Sequence, residues 1–474
     1  MKKPGTVDKF LETFLETQVS QMSPRLFSKR MSGSKSSLHL ENGSRVAVVG
    51  GGPAGTFFSY FLLDFAERAG VDLKVDIYEP RDFSLPAPQG CNMCAGVISE
   101  TLIQNLATEG INLPASVVQK AINSYVLHTE LGSQRIDAAF HEKRIAAIFR
   151  GAGPHGIREI KFRGFDDYLL SLAEQKGANT IRLRVTGVDR VNDKLVVQTR
   201  DSAKEGYDLL AVSAGVNTSL INLFDKAASK YNPPRTTKTA IREYFLGKET
   251  VDKYFGDSLH VFLLDIPKLD FAMIVPKGDY VSVCLLGKDI DENLLKAFLT
   301  APEVQSCFPD GWQWDQANCK CAPRINVGAA RKPYADRVVF IGDSGVSRLY
   351  KDGVGAAYRA AKAAASCAIL EGISSEDFRR YYAPFYRMVQ VDNLFGRFIF
   401  LVSHIIQRMR SSRKAVLRMV AIEQQSPDRS PRLSNVLWDT FTGSASYLDV
   451  FLRTLHPVFI SYFVWGLVSA LINS

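Results

Sequence analysis

Cysteine is scarce in this chain: seven residues, an odd number, scattered between Cys91 and Cys367. That argues against a disulfide framework, and no four-cysteine run of the kind that holds an iron–sulfur cluster is present. Residues 1–44 lack the apolar core of a secretory leader, so a reducing, cytosol-facing environment is the expectation. Acids are outnumbered, 49 Asp and Glu against 58 Lys and Arg, for a formal charge of +9. No basic-and-aromatic recognition module accompanies that excess, so nucleic acid is not an expected partner and anionic lipid suits the charge better. With 474 residues, 46% hydrophobic and 23% charged, the chain is long and apolar enough for a folded protein of two or three domains.

What is present begins at Arg45-Val-Ala-Val-Val-Gly50-Gly-Gly52-Pro53-Ala54-Gly55, a buried-strand pattern turning on glycines into a helix. Gly50 permits the tight turn, Gly52 lets backbone approach a pyrophosphate, and Gly55 allows close helix–strand packing. The helical pattern from Thr56 to Ala69 stops at Gly70, and a second apolar strand, Leu73 to Tyr78, delivers Glu79 where a carboxylate accepts from ribose hydroxyls. The whole strand–turn–helix–strand–acid order predicts a dinucleotide site.

A second glycine cluster narrows the ligand. Arg337-Val-Val-Phe-Ile-Gly342-Asp343-Ser-Gly345 is again a strand entering a turn, followed by Lys351-Asp-Gly353-Val354 and an alanine-rich helix over 356–369. The Asp343 carboxylate suits a ribityl hydroxyl, and a helix starting near Gly353 brings backbone N–H groups to a flavin and its phosphates. FAD is the expected cofactor.

From about Arg45 to Ile369 the chain resembles the geranylgeranyl reductase family of FAD-dependent oxidoreductases, within the p-hydroxybenzoate hydroxylase-like group. Cys94-Ala95-Gly96-Val97-Ile98 is similar to that family's Cys-Gly-Gly-Ile-like segment beside the flavin. Arg163-Gly-Phe165-Asp166-Asp-Tyr-Leu169 resembles its Arg-x-x-Phe-Asp-x-x-Leu segment, which implies a nucleotide contact for Arg163. The resemblance also implies a backbone contact at Val185 on the adenine side, and closure over the isoalloxazine by Gly353-Val354. Two departures concern the substrate. The family's Tyr-x-Trp-x-Phe-Pro cavity segment is here Phe271-Ala-Met273-Ile-Val-Pro276, without tryptophan, and Ser213-Ala-Gly215-Val-Asn217 stands where the wider group has Gly-Ala-Asp-Gly.

Other signals are weaker. Gly151-Ala-Gly153-Pro-His155-Gly156 repeats the glycine spacing but is followed by a strand-like run, 157–162, rather than a helix, which argues against an NADPH site there. Trp312-Gln-Trp314 is similar in part to a halogenase signature, but Asp315 and Gln316 follow. Cys91-Asn-Met-Cys94 and Cys319-Lys-Cys321 are close pairs without the further ligand spacing of a zinc site, so no metal is expected. Cys94 alone, as a flavin-proximal thiol, is the candidate catalytic residue.

The ends differ in kind from the middle. An amphipathic stretch over 7–22 and a Ser/Gly/Lys-rich linker over 28–44 form an N-terminal extension. Between Arg397 and Arg418 six basic residues interleave with apolar ones and no acid occurs, and 454–474 carry no Asp, Glu, Lys or Arg. Pro457 and Gly466 interrupt a dense apolar portion shorter than a ~20-residue span, so an in-plane anchor is favoured over a crossing, with burial on the protein's own core as the alternative.

These readings assemble into a Rossmann-type α/β FAD domain over 45–375, interrupted by a mixed-sheet substrate domain at about 125–148 and 236–321, and a helical membrane-associating region over 376–474. The resemblance implies reduction of carbon–carbon double bonds of a polyprenyl chain on a lipid, quinone or diphosphate. The external electron donor would be NADPH, ferredoxin or similar, and the enzyme would sit peripherally or C-terminally anchored at the cytoplasmic face of a membrane. Alternatives are a flavin monooxygenase acting on an apolar substrate and a membrane-associated flavoprotein electron carrier.

Overall fold

A computed structural model of the chain describes Ser36 and residues 38–472, apart from 92, 139–141, 158, 201–204, 225–227, 229 and 426–430. The amphipathic stretch expected over 7–22 and most of the linker lie outside the described residues. The linker's last residues are packed: Leu40 is buried, and Ile373 N–H donates to Leu38 O at 2.9 Å.

The apolar run Ser44–Val49 is a strand because both its faces are covered, with Val46 to Val49 at most 1% exposed. It lies near the centre of a six-stranded sheet, parallel to Leu209–Val212 on one side and Leu73–Tyr78 on the other. Asn179–Ile181 closes one edge; Val338–Phe340 and the antiparallel Tyr334–Ala335 close the other. The helix Pro53–Ala69 makes the first crossover and ends on Gly70, whose φ of 69° gives a left-handed cap. It packs on the helix Gly353–Leu370, where small alanines let Tyr358 meet Phe57 and Phe61 edge-on at 5.5 and 5.4 Å. Both glycine motifs therefore emerge at the carboxyl ends of parallel strands of one sheet.

A seven-stranded sheet is built from 124–137 and 240–321, in the order Cys319–Cys321, Ala240–Phe245, Tyr280–Gly287, Leu269–Lys277, Ser258–Phe262, Ser124–Thr129, Gly132–Asp137. Its central strands Leu269–Lys277 and Tyr280–Gly287 are buried along their whole length. Alternation divides their side chains: Ala272 and Ile274 join a core with Phe298 and Phe308, whereas Phe271, Met273 and Val275 face a second core containing Phe400, Trp438 and Phe441. The C-terminal helices supply that second core.

Those helices are Ala383–Arg408, Arg410–Gln425, Arg432–Thr442, Tyr447–Thr454 and Pro457–Ile472. Part of this region is interior, as the sequence alternative allowed: Phe271 stacks on Phe400 at 5.7 Å, and Tyr125 lies 5.9 Å from Trp438. The rest is open to solvent. Along Ala383–Arg408, Leu394, Phe398, Leu401 and Ile405 are each about half or more exposed at helical spacing. Ser375–Arg408 is long and apolar enough to cross a membrane by length and composition, with 22% of its most apolar window buried.

Candidate functional site

One cavity of about 570 Å³ runs from the glycine turn, past the second glycine cluster, to the seven-stranded sheet. At its first end the chain is pressed too tightly for side chains. A Cβ on Gly55 would lie 1.9 Å from Gly50 O, and one on Gly50, at φ 106°, would lie 2.6 Å from Ser213 O. Gly52 is the helix N-cap and supplies no side-chain cap, so first-turn N–H groups beside Pro53 and Ala54 remain free to meet an anion at the positive helix end. Glu79, 6% exposed, accepts from Gly51 N–H at 2.9 Å and from Arg81 N–H at 3.0 Å, one per carboxylate oxygen. Each oxygen keeps a lone pair for a hydroxyl donor.

Further along, Asp343 lines the cavity, and burial pushes its carboxyl up against the opposing effect of the Ser347 hydrogen bond. The helix Gly353–Leu370 opens on Asp352, whose left-handed backbone (φ 50°) turns its carboxylate to Ser99 Oγ at 2.8 Å and to Arg359 and Arg348 at 3.0 and 3.2 Å. Burial opposes ionisation of Asp352, but Arg359, Arg348 and the Ser99 hydroxyl outweigh it and hold the carboxyl below its ordinary range. That helix also lacks a side-chain cap and aims free N–H groups at the cavity beside Gly353 and Val354.

The sequence-derived residues Gly50, Gly52, Pro53, Ala54, Glu79, Cys94, Ala95, Gly96, Val185, Asp343, Gly353 and Val354 all line this cavity. Gly55 and Gly342 shape its floor without lining it; a Cβ on Gly342 would lie 2.6 Å from the Ala54 Cβ. Arg163 is a correction. Its side chain is 40% exposed and pairs with Asp167 one turn along its own segment, away from the cavity. Arg150 lines the cavity instead, as do Arg81, Arg184, Arg324 and Arg348, and it is held in a fork by the wholly buried Asp166. A charge two residues beyond the apolar strand Ile145–Ile148 was the available sign of Arg150.

Two more residues have roles that no sequence signal assigned. Arg348 donates to Ala445 O at 2.6 Å and Gly443 O at 3.2 Å, and Lys351 Nζ donates to Asp439 O at 2.7 Å and lies 4.0 Å from the Tyr447 ring centroid. Burial, reinforced by Arg348, pushes the Lys351 amine well below its ordinary range. These cavity residues thereby fasten the C-terminal helices, which lend Phe441 and Thr442 to the wall. That wall also carries the apolar Ile241, Met273, Leu286 and Ile325 beside Thr239, Asn326 and Tyr350, with Cys284, whose thiol burial pushes up to about 12. Burial pushes Cys91 to about 11, and all seven cysteines are free. Trp312 stacks on Phe308 at 3.6 Å in the other core and does not line the cavity.

No family model matches the chain, and no curated protein is significantly similar to it in sequence. Among solved structures it is similar to a flavoprotein/dehydrogenase from Cytophaga hutchinsonii, at 13% identity and TM-score 0.59 over 90% of this chain and 100% of that one. It is similar to p-nitrophenol 4-monooxygenase from Pseudomonas putida, at 14% identity and TM-score 0.56, covering 86% and 99%. The halogenase PltM in complex with FAD matches at 12% identity and TM-score 0.54, covering 90% and 91%. The chain therefore has the p-hydroxybenzoate hydroxylase-like fold, a Rossmann-type nucleotide domain with an inserted substrate sheet and a C-terminal helical region.

Proposed function

We propose that the chain is an FAD-dependent oxidoreductase acting on an apolar substrate at a membrane surface. The observation that carries this reading is the continuous cavity: a cradle for a dinucleotide at one end, two uncapped helix N-termini along it, and an apolar wall at the other. The Gly50–Gly55 turn would hold the pyrophosphate, Glu79 the ribose hydroxyls, Asp343 the ribityl chain, and the Gly353–Val354 backbone the flavin. FAD, when bound, supplies the hydride or oxygen chemistry. Ile241, Met273, Leu286, Ile325 and Phe441 exclude water and admit an apolar group. Arg150 and Cys94 both line that cavity.

Oxygen-dependent turnover of an apolar substrate is the favoured chemistry, supported by the monooxygenase and halogenase among the structural neighbours. Reduction of polyprenyl double bonds is the second reading, supported by Cys94 in the wall beside Arg150 and by the resemblance of residues 94–98. The membrane surface is supported by thirteen of the eighteen large apolar side chains exposed among the described residues, which fall between Val391 and Val468, with Arg397, Arg408 and Arg410 beside them.

One set of measurements tests these readings. The purified protein is expected to be yellow and to release FAD on denaturation, and to consume oxygen with NADPH when its substrate is present. Saturation of a prenyl lipid by the dithionite-reduced protein, without oxygen uptake, would select the second chemistry. A colourless protein that cannot be reconstituted with FAD would sink both.

A further inference from the structure

On the face of the seven-stranded sheet covered by residues 292–308, His128, His260 and Cys307 converge, and none of them lines the cavity. The strands Ser124–Thr129 and Ser258–Phe262 run parallel, with His260 opposite Val126 and Phe262 opposite His128. The two histidines are thus diagonal neighbours on one face. His128 Nε2 lies 2.9 Å from His260 Nδ1 and 3.8 Å from Cys307 Sγ, and all three atoms fall within 4.8 Å of one another. The exposures are 8%, 6% and 7%, and aromatic rings surround the group: Phe262 stacks on His128 at 4.5 Å, and Phe255 meets His260 edge-on at 5.1 Å.

We propose that His128, His260 and Cys307 bind one thiophilic transition-metal ion of the zinc class, which fastens the segment after the helix Pro302–Gln305 to the sheet. Two imidazole nitrogens and one sulfur select zinc or monovalent copper over magnesium or calcium. Bond lengths of about 2.0–2.1 Å to nitrogen and 2.3 Å to sulfur put tetrahedral N···N and N···S separations near 3.3 and 3.6 Å, within a few tenths of an ångström of the two separations made by His128 Nε2, and the third, at most 4.8 Å, closes by about an ångström or less. Burial keeps both imidazoles neutral, at about 4 for His128 and about 3 for His260, which leaves lone pairs ready to bind. The Cys307 thiol, pushed up to about 12 by the same burial, gives up its proton to solvent as the metal–sulfur bond forms. The hydrogen shared between the rings moves to the other nitrogen of its own imidazole, so binding releases one proton in all.

The test is independent of the flavin reading. Full-length protein is purified without chelators, and its metal is counted by mass spectrometry beside Cys307→Ser, His260→Gln and the control Cys367→Ser. About one ion per chain is expected in the wild type and the control, with a loss of about tenfold or more in the ligand variants. Should those variants fail to fold, the wild-type chain decides alone: stripped with phenanthroline and titrated with zinc, it should take up one equivalent and melt at a higher temperature. A wild-type chain that carries no stoichiometric metal, and takes up neither zinc nor copper(I) from micromolar solution, overturns the proposal. The three side chains are then a hydrogen-bonded part of the core.

Discussion

Replacing Glu79 by alanine separates two duties that the carboxylate performs at once. It accepts from the Gly51 and Arg81 N–H groups at 2.9 and 3.0 Å, and it faces the cavity where a ribose would lie. Gly51 is buried, so its N–H loses its partner outright, while the half-buried Arg81 N–H can turn to water. One charge-assisted bond is therefore lost from the protein itself, about 1.5–3 kcal/mol, and urea unfolding of the apoprotein should register it. The ribose bonds add a similar loss to FAD binding, about 1.5–3 kcal/mol, which raises the dissociation constant roughly 10- to 150-fold in a flavin-fluorescence titration. Glu79→Gln keeps one acceptor oxygen and should recover part of both losses. An alanine variant as stable as the wild type that binds FAD within about twofold would refute the whole account of this turn.

Gly55→Ala forces a Cβ to 1.9 Å from Gly50 O, and should cost about 3 kcal/mol or more in urea unfolding and abolish FAD retention; wild-type behaviour would contradict the packing. Arg150→Leu strands the wholly buried Asp166 and should cost about 3–5 kcal/mol, whereas Arg163→Leu breaks a half-exposed pair and should cost under about 1 kcal/mol; the reverse order of midpoints would restore Arg163 to the site. The Lys351 amine is held below its unfolded value, so the unfolded chain binds more protons and stability rises as pH climbs towards about 10.4. The unfolding midpoint of wild type relative to Lys351→Met should accordingly improve between pH 7 and 9, and a flat difference would exclude the buried amine as its source. The pair Phe398→Asp and Leu401→Asp should lose most flotation with anionic vesicles, since each exposed side chain brings about 1.5–3 kcal/mol of burial to a membrane; unchanged flotation would identify that face as a protein contact.

The nucleotide fold was legible in the chain because its determinants are contiguous. Strand, Gly50–Gly55 turn, helix and Glu79 span some thirty-five residues, and the chain's steric limits at Gly50 and Gly55 leave that local order one compact solution. The same holds for Gly342-Asp343 and the helix from Gly353, and short runs rich in β-branched and aromatic residues marked strands of the second sheet. Tertiary structure alone decided that Arg150 lines the cavity and Arg163 does not. Arg150 and Arg163 both precede Asp166 in the chain, and the fold pairs Arg150 with buried Asp166 and Arg163 with Asp167. It also decided that Arg348 and Lys351 bind carbonyls about ninety residues away, so that helices readable as a membrane tail became partly a cavity wall. His128, His260 and Cys307 carried no spacing that marks a metal site, because their meeting depends on strand register and on a helix laid across the sheet. Motifs written within one turn or crossover are determined by the local chain; contacts between distant segments exist only once hydrophobic burial has brought those segments together.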